Sequence, residues 1–94
     1  MITVLASIRV KEGNRSDFLE IFKGNVPHVR EEKGCVEYFP AVDVDADLSG
    51  QTFDADVVTV VEKWKSLEAL HSHMGAPHML AYRYKVKNLS LIHI

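Results

Sequence analysis

The chain has little of what marks disulfide-bonded, nucleic-acid-binding or membrane-spanning proteins. Its 94 residues contain one cysteine, Cys35, which excludes an internal disulfide framework. The formal net charge is -2 and no basic stripe is present, so neither nucleic acid nor an anionic membrane is expected as a partner. No apolar run approaches the roughly 20 residues of a membrane helix. Strand-like sequence begins at the N-terminus in place of a secretory signal, and a reducing cytoplasm is therefore the expected location.

The motifs of most cofactor-dependent enzymes are absent as well. The sequence has no phosphate-binding glycine loop, dinucleotide fingerprint, CxxC pair or Ser-His-Asp order. Residues 43–56 contain five aspartates, which would suit calcium, but they lack the glycine turn and terminal glutamate of a calcium loop. We interpret this acidic stretch as a solvated connection between two strands.

What the chain does contain is ordinary globular composition, with 47% hydrophobic and 26% charged residues. This composition predicts a single domain over residues 1–94. A domain of this size buries only about 60–65% of its unfolded surface, so pairing with another chain would add to a thin margin of stability.

Alternating and helical spacings predict the element order strand, helix, strand, strand, helix, strand. This order is typical of the ferredoxin-like split βαβ fold, an α+β architecture in which helices cover one face of a four-stranded antiparallel sheet. The second helical region is divided into two short helices. The predicted elements are a strand at 2–10, a helix starting near Asn14 or Ser16, strands at 35–44 and 57–64, helices at 67–74 and 76–87, and a strand at 89–94.

Both faces of the predicted sheet are apolar. The third strand places Val58 and Val60 on one side and Val57 and Val61 on the other. One layer of helices covers only one side, so the other needs a second cover. The simplest cover is the sheet of an identical subunit, which predicts a homodimer through the open sheet face.

The stretch from Glu62 to Met79 carries most of the functional signal. Trp64 stands at the end of the third strand, and Ser66 occupies an N-cap position before the next helix. We expect an apolar stripe on that helix to face the core. Gly75 then ends the helix, and a proline begins another. The stripe consists of Leu67, Leu70 and Met74.

Two histidines in this stretch are candidate general bases. His71 and His73 point apart on a helix, so they cannot chelate one metal ion, and no metal site is expected. The Gly75–Pro77 break could turn His73 and His78 towards one cavity, where a neutral imidazole would accept a proton. Glu62 shares a strand face with Trp64 and could orient that imidazole. The alternatives are a merely packed histidine and a Glu62 that pairs with a neighbouring lysine.

Aromatic side chains provide the remaining candidates. Trp64, Tyr38 and Tyr82 offer flat rings that would suit a polycyclic ligand in a cavity. Their other interpretation is core or interface packing, in which aromatic residues are also common.

Across nearly its whole length the chain resembles the antibiotic biosynthesis monooxygenase superfamily of dimeric α+β barrel proteins, and within it the bacterial quinol monooxygenases. The motifs that carry the resemblance are Glu32-Lys33-Gly34-Cys35, Tyr38 and Pro40, Val42-Asp43, Glu62-x-Trp64-x-Ser66, Leu70, His73, Pro77-His78-Met79 and Ala81-Tyr82.

The resemblance implies a cofactor-free monooxygenase that oxidises quinols or related dihydroxylated aromatics with molecular oxygen. In that reading His73 or His78 is the base, Glu62 orients it, and Trp64, Tyr38 and Tyr82 contact the ring. Haem-degrading relatives are a poorer match, because Ala6 and Ser7 replace the expected first-strand asparagine. A cofactor-free isomerase of a small metabolite and a non-enzymatic dimeric ligand-binding or stress protein remain alternatives, because a fold does not decide a reaction.

Overall fold

The computed structural model describes residues 1–50 and 52–93. Within these ranges the order of elements is that of the ferredoxin-like α+β fold, and this prediction is confirmed. The elements are β1 (Ile2–Val10), α1 (Arg15–Arg30), β2 (Cys35–Val42), β3 (Val57–Trp64), α2 (Leu67–Met74), α3 (Pro77–Val86) and β4 (Ser90–His93).

The strands form one antiparallel sheet in the order β2-β3-β1-β4. β3 lies next to both β1 and β2, and its Glu62 is paired with Val4 on one side and Tyr38 on the other. A register shift between Cys35 and Glu37 keeps Cys35 opposite Trp64. Glu62 therefore lies in the interior of the sheet and not at an edge.

The helices cover one face of this sheet, which we call the covered face. Even-numbered residues of β1 and β3 point into it, and the buried ones include Ile8, Val58 and Val60. Odd-numbered residues point to the opposite, open face, where Leu5 is 69% exposed. Alternation along a strand produces this division, because successive side chains point to opposite sides of a sheet.

An aromatic cluster fills the space between the sheet and the helices. The Phe22 ring of α1 stacks on the Tyr38 ring of β2 at 5.3 Å, and the Tyr82 ring of α3 meets Phe22 edge-on at 5.8 Å. Phe18 contacts both Phe22 and Tyr82 at 6.3 Å. These rings fix the separation of α1 and α3 from the sheet.

Several predicted boundaries shift by a few residues. α1 continues through Pro27 to Arg30, and its last turn is closed by a 3.3 Å hydrogen bond from the Glu31 N–H to the Pro27 carbonyl. The predicted strand at 35–44 ends at Val42, and the predicted helix at 76–87 covers Pro77–Val86. The predicted strand at 89–94 covers Ser90–His93, with Ile94 outside the described residues, as is Gln51 of the acidic connection.

The orientation predicted for α2 is wrong. The stripe was expected to face the core, but Leu67 is 55% and Met74 53% exposed, and the one buried residue of this helix is His73. Leu70 packs against the core together with Ala69. The helix is short, so the partners of one polar side chain outweigh a weak apolar stripe.

No helix in the described ranges is both long and apolar enough to cross a membrane.

Candidate active site

The candidate site begins with a carboxylate inside the sheet. Glu62 is 8% exposed, and its Oε1 accepts a 2.9 Å hydrogen bond from the indole Nε1–H of Trp64. The two residues are two apart on β3, so their side chains share the covered face. A buried charge is stable only when it is paired or hydrogen-bonded, and the indole provides such a bond.

His73 lies directly above this carboxylate and is carried by α2. This helix is capped, as predicted, by Ser66, whose hydroxyl accepts a 3.1 Å hydrogen bond from the Ala69 N–H. The imidazole is almost completely buried, with the Trp64 ring 4.6 Å away and the Tyr38 ring meeting it edge-on at 5.5 Å. Its Nε2 is 3.8 Å from Glu62 Oε1. Of the alternatives that the sequence left open for Glu62, the structure places it near His73 and not beside a lysine.

A second carboxylate, absent from the predicted site, holds the other side of the imidazole. Glu32 lies in the turn between α1 and β2, and its Oε2 is 2.8 Å from His73 Nδ1 and 2.8 Å from His78 Nε2. An ionised carboxylate at this position accepts hydrogen bonds from both nitrogens. In the neutral His73 tautomer that donates from Nδ1, the Nε2 lone pair faces Glu62.

Gly34 allows this turn to lie close to α2. Its φ is +87°, and an added Cβ would lie 2.6 Å from the Ala69 Cβ. The Gly34 carbonyl also accepts a 2.8 Å hydrogen bond from the Lys65 N–H at the end of β3. Only glycine combines that backbone conformation with that contact, so Gly34 helps to place Glu32 beneath the histidines.

A cavity of about 530 Å³ opens beside the Glu62–His73 pair. Its walls are mainly apolar, with Val4, Ala6 and Val60 contributed by the sheet. The polar groups along it include Tyr38, Glu62, His71, His73, Tyr82 and Arg83. A mostly apolar hollow with a few convergent polar groups is typical of small-molecule sites.

The predicted site residues take different positions around this cavity. Tyr38, Glu62, His73 and Tyr82 line it. Trp64 is fully buried behind Glu62 and His73, where it contacts both without lining the cavity. His78 lies beyond Glu32, beside a second hollow of about 430 Å³ between α1 and α3, and its ring stacks on His28 at 5.9 Å.

Two tyrosine hydroxyls remain protonated at the cavity. Burial raises the pKa of Tyr38 well above its usual range, and the negative charge of Glu62 raises it further. Burial likewise raises the pKa of Tyr82. Both hydroxyls are therefore hydrogen-bond donors at neutral pH.

A third hollow, of about 470 Å³, lies at the surface beside Gly34, Lys65 and Ser66. It does not border the Glu62–His73 pair, so we place the candidate site in the apolar cavity. Among the described residues, no group of three or more histidine, cysteine, aspartate or glutamate side chains is arranged to hold a metal ion.

Fold and site together define a small α+β protein with a carboxylate–histidine pair at an apolar cavity. The sequence model of the family described as Antibiotic biosynthesis monooxygenase matches residues 1–85. The chain belongs to this family, and at that level of description it is a monooxygenase.

Relatives agree with this assignment. The chain is 40% identical over 89 residues to the Probable quinol monooxygenase YgiN of Escherichia coli strain K12, a match that covers 93% of this chain and 86% of YgiN. Among solved structures, Rv0793 from Mycobacterium tuberculosis superposes with a TM-score of 0.78 at 26% identity, covering 98% of this chain and 86% of that one. PA3566 from Pseudomonas aeruginosa superposes with a TM-score of 0.81 at 22% identity, covering 98% and 85%, and shows the same fold.

Proposed function

We propose that this protein is a cofactor-independent monooxygenase that oxidises quinols or related dihydroxylated aromatics with molecular oxygen. The observation that carries the proposal is the setting of His73, whose Nδ1 is held by Glu32 while its Nε2 faces Glu62 beside an apolar cavity. Membership of a monooxygenase family supports the reaction class. The printed name of the relative YgiN supports a quinol as substrate.

His73 is the proposed base. Its Nε2 takes the proton of a substrate hydroxyl, and the resulting imidazolium is stabilised by the Glu32 carboxylate at its Nδ1. Glu62 provides a second negative group on the Nε2 side. Trp64 and His78 act as positioning residues, because the first holds Glu62 and the second shares the Glu32 oxygen.

The proposed reaction needs no external reductant. A hydroquinone that becomes a hydroxylated quinone loses two electrons from its ring oxygens and two more when one ring C–H becomes C–OH. Dioxygen accepts these four electrons, so one of its oxygen atoms enters the ring and the other leaves as water. The phenolate formed at His73 is the electron-rich species that reduces oxygen.

The cavity contributes orientation and exclusion of water. The rings of Tyr38 and Tyr82 offer flat contacts for an aromatic substrate, and the apolar walls from the sheet keep the reacting anion away from solvent. Positioning and desolvation are the main means by which a protein without a cofactor lowers such a barrier.

The open face is the proposed dimer interface. Leu5, Val61 and Phe39 lie side by side across β1, β3 and β2, and Leu5 and Phe39 are exposed there. An identical sheet would cover this row in a symmetric pair, which is the arrangement of a dimeric α+β barrel.

Oxygen uptake with an anaerobically reduced naphthoquinol tests the function. Wild-type protein should consume oxygen faster than autoxidation, with about one O2 per quinol. His73→Gln should lower the rate by about 10²–10⁴-fold, the usual contribution of a general base. Glu62→Gln should lower the rate as well, because it removes the negative group on the Nε2 side. Glu12→Gln is the matched control and should retain the wild-type rate, since Glu12 is exposed in the turn between β1 and α1 and contacts no residue of the candidate site.

Thermal melting of each variant separates loss of chemistry from loss of fold. No uptake above autoxidation by folded wild-type protein would contradict the proposed function. Retained turnover in folded His73→Gln would contradict the base assignment alone.

A further inference from the structure

The hydroxyl of Tyr82 is buried without a partner. Tyr82 is 6% exposed, and its Oη has no hydrogen bond within the part of the chain that the structure describes. A buried polar group that lacks a hydrogen bond is unusual, because its desolvation is not compensated. Such a hydroxyl is a candidate donor for a bound molecule.

The ring of Tyr82 cannot easily turn to find a partner elsewhere. It meets Phe22 edge-on at 5.8 Å and Phe18 edge-on at 6.3 Å. These contacts lock a large side chain in a close-packed core.

Tyr82 lies next to the reactive pair. Its side chain lines the cavity that contains Glu62 and His73, and it also borders the second hollow, between α1 and α3. Burial is the main cause of the raised Tyr82 pKa; the Arg83 charge lowers this pKa and the Glu62 charge raises it. Tyr82 in turn contributes to the raised pKa of Tyr38. Such mutual effects require the three groups to lie within electrostatic range across the cavity.

We propose that the Tyr82 hydroxyl donates a hydrogen bond to the second oxygen of a dihydroxylated aromatic ligand, whose first oxygen lies at Glu62 and His73. The identity of the ligand rests on the proposed function. The cavity then has an acceptor wall on β3 and α2 and a donor wall on α3. It selects a ring that carries two oxygens over a ring that carries one.

The donor character of Tyr82 suits both substrate and product. A quinol oxygen and a quinone carbonyl both accept hydrogen bonds, so the same tyrosine donor can hold the ring before and after oxidation. Glu62 and the His73 Nε2 accept and therefore suit the hydroxyl that loses its proton.

Anaerobic binding of two probes tests this inference. The probes are 1,4-dihydroxynaphthalene and 1-naphthol, which differ by the second oxygen, and dissociation constants are measured by calorimetry without oxygen. Wild-type protein should bind the diol about tenfold more tightly than the mono-ol. In Tyr82→Phe this preference should vanish through weaker diol binding, with 1-naphthol binding unchanged.

Tyr84→Phe is the matched control, since Tyr84 lies on the same helix and is 72% exposed. It should keep the wild-type preference for the diol. Tyr82→Phe should also fold at least as stably as wild type, because it removes a hydroxyl that has no hydrogen-bond partner among the described residues.

Retention of the diol preference by Tyr82→Phe would overturn the inference. An equal weakening for both probes would also overturn it, since Tyr82 would then shape the cavity without binding the second oxygen. The proposed function is judged separately by oxygen uptake. If the protein consumes oxygen but Tyr82→Phe keeps the diol preference, only the inference about Tyr82 is rejected. If the diol preference depends on Tyr82 but the protein consumes no oxygen, only the proposed function is rejected.

Discussion

The two faces of the sheet differ in the burial of their charged side chains. On the covered face, Glu62 is buried and hydrogen-bonded to Trp64, and His73 is buried between Glu62 and Glu32. On the open face, Lys63 and Glu37 are 3.7 Å apart with side chains 38% and 45% exposed. Exposed pairs of this kind contribute about 0–1 kcal/mol.

The difference indicates which face of the sheet suits the proposed chemistry and which suits the proposed contact with a second chain. Burial makes each polar group costly unless it is fully partnered, so a buried carboxylate–histidine cluster is best explained by a function. The open face instead has an exposed apolar row through Leu5, Val61 and Phe39, which suits a surface that a second chain covers.

Trp64→Ala should have the largest effect on stability. The indole is fully buried between the sheet and α2, where it contacts His73 and donates to Glu62. Its removal leaves a cavity and a carboxylate without its hydrogen bond, so the free energy of unfolding should fall by about 3–5 kcal/mol. Urea denaturation measures this loss.

Trp64→Phe separates packing from the hydrogen bond. Phenylalanine restores most of the ring volume but not the donor, so stability should recover by more than half while oxygen uptake stays low. Equal losses of stability in the two variants would show that the hydrogen bond, and not the packing, dominates.

Leu5→Arg on the open face should act on assembly. A charge in the centre of the apolar row would be buried against its own copy in a dimer, at a cost of at least about 2 kcal/mol, or roughly thirtyfold in the dissociation constant. Sedimentation equilibrium measures that constant. Leu80→Arg is the control, because Leu80 is exposed on α3 away from this face. A wild-type protein that sediments as a monomer would contradict the dimer outright.

Local signals in the sequence were sufficient for most elements. The β-branched run that begins at Val57 predicted the strand Val57–Trp64, and the capping serine predicted the start of the helix Leu67–Met74. Strand alternation also predicted that Glu62 and Trp64 share one face of the sheet, although it did not predict the hydrogen bond between them. These features depend on residues that are near one another in the chain.

The part of the site that escaped prediction depends on distance along the chain. Glu32 binds histidines 41 and 46 residues away, and no local pattern records such contacts. The same contacts explain the wrong orientation of α2, because His73 turns inward to Glu32 and leaves Met74 exposed. The one local sign of this region is Gly34, whose requirement for glycine becomes clear only when Ala69 is seen against it.

Gly34→Ala should lower stability and activity more than the same substitution at Gly13. The left-handed backbone should cost about 1–2 kcal/mol, and the contact with Ala69 adds to this cost. The turn must move, so Glu32 should shift away from His73 and oxygen uptake should fall. Gly13→Ala is the control, because its φ is +79° and no atom lies within 4 Å of the added Cβ. Equal losses of stability and activity in the two variants would exclude a special role for Gly34.

The smallest effect is expected at Asp54, at an exposed pair of the open side. Arg9 donates a 2.7 Å hydrogen bond to Asp54, which lowers the pKa of that carboxyl below its ordinary value of 3.8. A carboxyl whose pKa is lowered by folding stabilises the folded state at any pH above its pKa in the unfolded chain. That stabilisation is lost as the pH falls through its pKa in the folded protein. The contribution of this pair should therefore be present at neutral pH and disappear only below about pH 4.

Asp54→Asn and Arg9→Met should each remove this small acid-dependent component, and the double variant should lose no more than either alone. Urea midpoints at neutral and acid pH measure it. The side chains of Arg9 and Asp54 are 46% and 30% exposed, so water and salt screen the pair. Added salt should therefore abolish the difference in urea midpoint between each variant and the wild type. A loss of stability as large as that expected for Trp64→Ala would contradict the exposed setting of the Arg9–Asp54 pair.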